Sequence, residues 1–320
     1  MNKFLDNKNV LFIAPEFYGY EKIISDKIIE YGASVLFYPE RKNNFSYKFA
    51  ANLNSDTLIQ YQNKYYREIY DAIKDLQIDY FFVIRGFLMP VEFIKNMRMS
   101  FPGATFIMHQ WDSIKNHNYK RFLNEFDKIF SFDPIDCINN PTLQYLPNFY
   151  FPEFATLSNK KIIYDISFIG WAYKKRLDII KKLTGQLPGT SFFSYLYIPF
   201  SAYLKELLKG SYLHNVKFMP VSFTEVIRIV QQSHCVLDIP DENQTGYTYR
   251  AIDAMAAGKK LITTNSHIQN EKFYNKNNIL IIDKDQPEIQ NDFFEKSFVP
   301  VDIEEYSLSN WIKKIFSASA

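Results

Sequence analysis

The sequence is poor in cysteine, with only Cys137 and Cys235 in 320 residues. They stand far apart, so no disulfide framework and no CxxC zinc pattern can be read. An excess of either charge is also missing. There are 37 Lys and Arg against 35 Asp and Glu, a formal net charge of +2. That argues against a nucleic-acid partner held by bulk charge, which needs a basic surplus or stripe. No uninterrupted apolar run approaches about 18 residues, so no membrane-spanning helix is expected. Met1 to Asn9 is polar and lacks the apolar stretch of a signal peptide. Repeats and low-complexity segments are absent. The composition, 47% hydrophobic and 22% charged, is ordinary globular usage and excludes wholesale disorder. A soluble, reduced, cytoplasmic protein is expected, with peripheral attachment to the inner face of the cell membrane left open.

Short apolar runs alternate with helical patterns from end to end. Val10 to Ala14 predicts a first buried strand, broken by Pro15 and Gly19. Ile23, Ile24, Ile28 and Tyr31 follow with helical spacing, and Gly32 sits where a helix would be capped. Ser34 to Tyr38 predicts the next strand. The unit is strand, helix, strand within about 30 residues. The pattern recurs with strands at 79–84, 104–108 and 127–131. A stretch without periodicity, rich in proline and polar residues, sets a domain boundary near 152–162. A second series follows, with strands at 166–169, 190–197, 216–219, 234–239, 260–263 and 279–282. In the closing segment Leu308, Trp311, Ile312, Ile315 and Phe316 form one apolar helical stripe, expected to pack on a core. The expected architecture is α/β: two Rossmann-like domains, 1–152 and 153–303, followed by an amphipathic helix in 304–320. Parallel sheets with helices on both faces are expected, and a ligand cleft between the domains.

Open parallel sheets bind ligands outside the carboxyl ends of their strands. In the first domain those ends carry Glu16 and Gly19, Arg85, and the run His109, Gln110, Trp111, Asp112. In the second they carry Gly170, Pro220, and the segment from Asp238 through Gln244, Thr245 and Gly246. A glycine turn before a helix N-terminus offers free N–H groups and a partial positive charge, which suits a diphosphate. Arg250 adds a forked, permanent charge. Asp253, one turn on, could accept hydrogen bonds from ribose hydroxyls. An ordinary Thr-Gly turn with a surface Arg–Asp pair fits the same residues equally well. Trp111 reads as a sugar-stacking platform or, more commonly, as core. His109 reads as a base or, more commonly, as a packed histidine.

The run "VKFMPVSFTEVIRIVQQSHCVLDIPDENQTGYTYRAIDAMAAGKKLITTN" resembles the donor-binding domain of GT-B glycosyltransferases. So does "YDISFIGWAYKKRLDII", with Gly170 and Arg176. The resemblance is closest to the CgeB-like and bacterial lipopolysaccharide or capsule enzymes. It implies a nucleotide-sugar donor held by Gly170, Arg176, Pro220, Asp238, Gln244, Thr245, Gly246, Arg250 and Asp253. It also implies a glycan or lipid-linked glycan acceptor on the first domain, near Gly19, Arg85 and Trp111. Many retaining members carry Glu-x7-Glu. Here Thr245 and Asp253 stand at those places, which favours inversion with a base from the first domain. Glu16 is preferred, with Asp112 and His109 behind it. Asp283-Lys-Asp285 has the form of the metal-binding DxD of GT-A enzymes. Its place late in the chain reads instead as a charged turn. No essential metal and no cofactor beyond the nucleotide-sugar co-substrate are expected. A GT-B-fold nucleotide-sugar epimerase and a non-catalytic sugar-nucleotide or glycan-binding relative are the alternatives.

Overall fold

A computed structural model describes residues 3–42, 44, 47, 55–156 and 160–317. The chain divides into two compact units. One is Met1–Pro147 with Trp311–Ala320, the other Asn148–Asn310.

The first unit is built on six parallel strands: β1 (Asn9–Ala14), β2 (Ser34–Pro39), β3 (Tyr80–Ile84), β4 (Thr105–Gln110), β5 (Lys128–Ser131) and β6 (Leu143–Tyr145). Their order is β2-β1-β3-β4-β5-β6. The central strands are buried on both faces, which is why they read as continuous apolar runs rather than alternating ones. Tyr65, Tyr66, Ile69 and Ile73 of the helix Ser55–Ile73 pack into that core with Phe81, Phe93 and Phe106.

The second unit has another six parallel strands: β7 (Tyr164–Trp171), β8 (Phe192–Tyr197), β9 (Val216–Lys217), β10 (Ser233–Asp238), β11 (Lys260–Thr263) and β12 (Ile279–Ile281). Their order is β12-β11-β10-β7-β8-β9. In each sheet the strand order reverses beside the first strand. The switch falls between β1 and β3 in one and between β7 and β10 in the other. Those are the places where open α/β sheets leave a crevice for ligands.

The division falls before Asn148 rather than at 152/153, and the bonding explains it. Asn148 Nδ2 donates to the Tyr247 carbonyl at 2.9 Å, and the Tyr247 hydroxyl donates back to the Asn148 carbonyl at 2.7 Å. Phe149 and Phe151 then pack on Tyr249, with ring centres 5.3 and 5.6 Å away. The chain is thus already committed to the second unit at Asn148. The closing helix, Leu308–Phe316, buries Trp311, Ile312, Ile315 and Phe316. Trp311 meets His109 at 4.9 Å, and Phe316 meets Tyr80 and Phe82 at 5.1 and 5.5 Å, all in the first unit. Its apolar stripe is core, in keeping with its spacing.

Candidate functional site

In the second unit, β7 ends at Gly170 and Trp171, and β10 ends at Asp238. Asp238 is fully buried and heavily bonded. Its Oδ1 accepts from the Thr248 hydroxyl at 2.8 Å and from Arg250 Nε at 3.2 Å. Its Oδ2 accepts from the Thr263 hydroxyl at 3.2 Å. Asp238 is therefore a positioning group. It fixes Thr248, which caps the helix Tyr249–Ala256, and it aims Arg250. Arg250 Nη1 donates to the Ile169 carbonyl at 2.8 Å. A guanidinium has five N–H donors. The half-buried fork of Arg250 keeps some for a ligand.

Arg176 arrives from the helix Lys174–Gln186, which opens directly after β7. It is buried. Nε donates to the Ile239 carbonyl at 2.8 Å and Nη1 to the Trp171 carbonyl at 3.0 Å. Burial, and then the nearby Arg250 guanidinium, push Arg176 down to about 10. Gly170 makes room for this arrangement. A Cβ there would lie 2.9 Å from the Phe168 ring and 3.3 Å from Arg176 Nη1.

Beside the two arginines lies a cavity of about 290 Å³, lined among others by Tyr173, Lys175, Glu242, Gln244, Thr245 and Lys284. Counting around it, Arg176, Arg250, Lys175 and Lys284 oppose Asp238, Asp241 and Glu242. Cations outnumber carboxylates by one. Lys175 is paired with Glu242. Asn265 Nδ2 donates to the carbonyls of Thr245 and Gly246 at 3.0 and 3.3 Å, which shapes the loop before the capped helix. The structure so brings together Gly170, Arg176, Asp238, Gln244, Thr245, Gly246 and Arg250.

Two sequence candidates of this unit fall outside that group. Pro220 is exposed in the loop after the edge strand β9. Asp253 is buried, and its Oδ1 accepts from the Phe151 amide at 3.2 Å. Burial first, and the nearby Glu153 charge, push its carboxyl well above the ordinary range, against the bond from Phe151. It ties the 148–155 segment to the helix rather than facing a ribose. Asp283 caps its own turn, accepting from the amides of Asp285 and Gln286 at 2.7 Å. Among the described residues no three His, Cys, Asp or Glu cluster as a metal site would need.

In the first unit, the candidates also gather at the carboxyl edge of the sheet. Glu16 is exposed just after β1, and Gly19, at φ 80°, starts the helix Tyr20–Glu30. Trp111 meets Tyr20 edge to face at 6.4 Å, which brings the loops after β1 and β4 together. Arg85 Nη1 lies 3.6 Å from Asp112 Oδ2. His109 does not join them. It is fully buried, its Nε2 is 3.0 Å from the Leu146 carbonyl, and burial lowers it to about 4. It is a packed core histidine without access to an acceptor hydroxyl.

One residue went unread in the sequence. Glu40, directly after β2, is fully buried. Its carboxylate accepts from Arg85 Nε at 3.1 Å, from Arg85 Nη2, and from the Phe87 amide at 3.1 Å. These bonds hold a loop in which Arg85, Gly86 and Leu88 have φ of 66°, 70° and 55°. Left-handed backbone at a non-glycine residue costs about 1–3 kcal/mol, and such strain persists where surroundings over-determine it. Glu40 supplies that determination.

No protein-family model matches the chain, and no curated protein matches it. Solved structures do. A trehalose-6-phosphate synthase, described with bisubstrate glycomimetics of transfer with retention, matches with a TM-score of 0.62 at 12% identity over 96% of this chain and 98% of that one. AviGT4, a glycosyltransferase of avilamycin A biosynthesis, matches with 0.55 at 9% identity over 97% and 99%. The lipopolysaccharide outer core galactosyltransferase WaaB matches with 0.52 at 12% identity over 97% and 99%. The fold is GT-B. At these identities the likeness carries architecture, so the chemistry must be argued from the residues.

Proposed function

We propose that this GT-B chain transfers a sugar from a nucleotide-sugar donor to a hydroxyl of a surface-glycan precursor. The observation that carries this reading is the Arg176–Arg250 pair at the switch point of the second sheet. Two guanidiniums share one neighbourhood, and among the described residues Asp238 is the one carboxylate bonded to either, the other bonds going to backbone carbonyls. A diphosphate beside them relieves their mutual repulsion and takes the unused donors of Arg250. The same charges then stabilise the diphosphate as it leaves, without calling on a metal. The capped helix at Thr248 faces the same end of the sheet and adds its dipole.

In the first unit Glu16 is the proposed base. It would take the proton of the acceptor hydroxyl as that oxygen attacks the anomeric carbon and the nucleotide diphosphate departs. Asp112, 3.6 Å from Arg85, is the second candidate. Thr245 offers no carboxylate for a retaining route, so the proposal is inversion. The likeness to a lipopolysaccharide galactosyltransferase supports a glycan or lipid-linked glycan as acceptor. The test is release of nucleotide diphosphate from a panel of nucleotide sugars in EDTA, with and without glycan acceptors. Acceptor-dependent release supports transfer. Sugar isomerisation without an acceptor would point to an epimerase, and binding without turnover to a non-catalytic relative.

A further inference from the structure

The helix Phe200–Leu208 in the second unit departs from the usual pattern of a surface helix. Such helices bury an apolar stripe against the core. Here Phe200, Leu204 and Leu208 recur every fourth residue, on one face, yet no residue of the helix is buried. Ala202 and Tyr203 hold it to the core cluster from the side. Leu208 is 88% exposed. Tyr212 and Met219, each 73% exposed, and Phe218 extend the surface. The ring of Phe218 lies 5.4 Å from Phe200 and 5.3 Å from Tyr203, so loop and helix form one patch. The Tyr195 hydroxyl donates to the Met219 carbonyl at 2.9 Å and fixes that loop. Isolated exposed apolar residues are ordinary, but a contiguous patch marks a contact surface.

The charges beside it name the partner. Lys205, Lys209 and Lys217 are exposed around the patch. Glu206 is the lone acid of the helix and is paired with Lys209 at 3.0 Å. A two-fold contact with a second copy would set the same patch, and the same lysines, against themselves. An anionic lipid surface instead receives the apolar side chains below its headgroups, while lysines reach back to the phosphates. Among the described residues no helix is long and apolar enough to cross a membrane, so the contact would be peripheral.

We propose that this patch docks the second unit onto an anionic lipid surface. The proposal does not depend on the transferase reading. It is tested by flotation of the whole chain with vesicles of equal phosphatidylcholine and phosphatidylglycerol, and with phosphatidylcholine alone. The wild type is expected to float with the anionic vesicles, less so in added salt. A Leu204→Gln, Leu208→Gln, Met219→Gln variant is expected to partition at least about tenfold less. These side chains already face water, so the variant should unfold at the wild-type temperature. No flotation of the wild type, or equal flotation of the variant, overturns the proposal. So does a concentration-dependent dimer in sedimentation that the variant abolishes, which would assign the patch to a second copy.

Discussion

Arg176 and Arg250 lie against the same ring. Their guanidinium carbons are 5.7 and 5.5 Å from the centre of Phe168. Phe168 sits within β7, so the strand that begins the second unit carries the platform for both charges. Cation–π contact helps hold two like charges close together. Among the described residues Asp238 is the one carboxylate paired with either, which leaves the proposed diphosphate to offset the second charge.

Glu16→Gln should separate chemistry from binding. Removing a general base costs about a hundredfold to ten-thousandfold in turnover. Glu16 is exposed, so thermal unfolding and nucleotide diphosphate affinity should both stay as in the wild type. Turnover of the variant at the wild-type rate would move the base elsewhere, to Asp112 first.

Glu40→Gln should weaken the first unit. The substitution keeps the shape but removes the buried carboxylate partner of Arg85 and leaves it, among the described residues, Asp112 alone, at 3.6 Å. Breaking a buried pair costs about 3–5 kcal/mol, and the partial exposure of Arg85 sets the expectation nearer about 2–4 kcal/mol. Urea unfolding reads this directly. Unchanged stability would mean that the 85–88 loop holds its left-handed backbone without Glu40.

Asp253→Asn decides between two roles. Burial raises the Asp253 carboxyl and so favours its uncharged form, and an amide in its place can still accept from Phe151 through Oδ1. Its folded carboxyl is raised above the unfolded one, so the folded state binds more protons in that window. Stability from this group is present at low pH and lost as pH rises through the raised value. The variant should therefore be at least as stable as the wild type at neutral pH and bind nucleotide diphosphate equally well. A large loss of affinity would restore Asp253 as a ribose ligand.

His109 sets an acid limit on stability. Folded, it titrates at about 4 instead of its usual 6.5. Between those values the unfolded state binds more protons, so stability falls as pH drops from 6.5 toward 4. The expected loss from this group is about 3 kcal/mol. His117, also lowered to about 4 by burial and nearby arginines, adds in the same direction. His109→Gln should flatten the slope of unfolding free energy between pH 6.5 and 4, measured by urea titration at each pH.

Much of the architecture was legible because parallel strands buried on both faces leave continuous apolar runs between glycine and proline breaks. β6 escaped because it is three residues long with only Leu143 buried. In the second unit the strand ends and the resemblance point to Gly170, Arg176 and Arg250, which lie close together in the structure. Neither could show that Asp253 is bonded to Phe151, 102 residues earlier in the chain. Local spacing cannot see such a bond. Glu40 was hidden for the same reason, since nothing near it in sequence announces Arg85, 45 residues on. His109 and Trp311 show the same limit. Helical spacing places Trp311 in an apolar stripe, but what it packs on, His109 at 4.9 Å, comes from a distant part of the chain.

The most direct measurement is calorimetric titration of the chain with a panel of nucleotide diphosphates in EDTA, for the wild type and Arg250→Ala. Thermal unfolding serves as the check that both are folded. Micromolar binding of a nucleotide diphosphate, weakened at least about tenfold in the variant, is the expected result. A folded wild type that binds none of them, or a variant that binds as well as the wild type, would contradict the assignment of Arg176 and Arg250 as a diphosphate site.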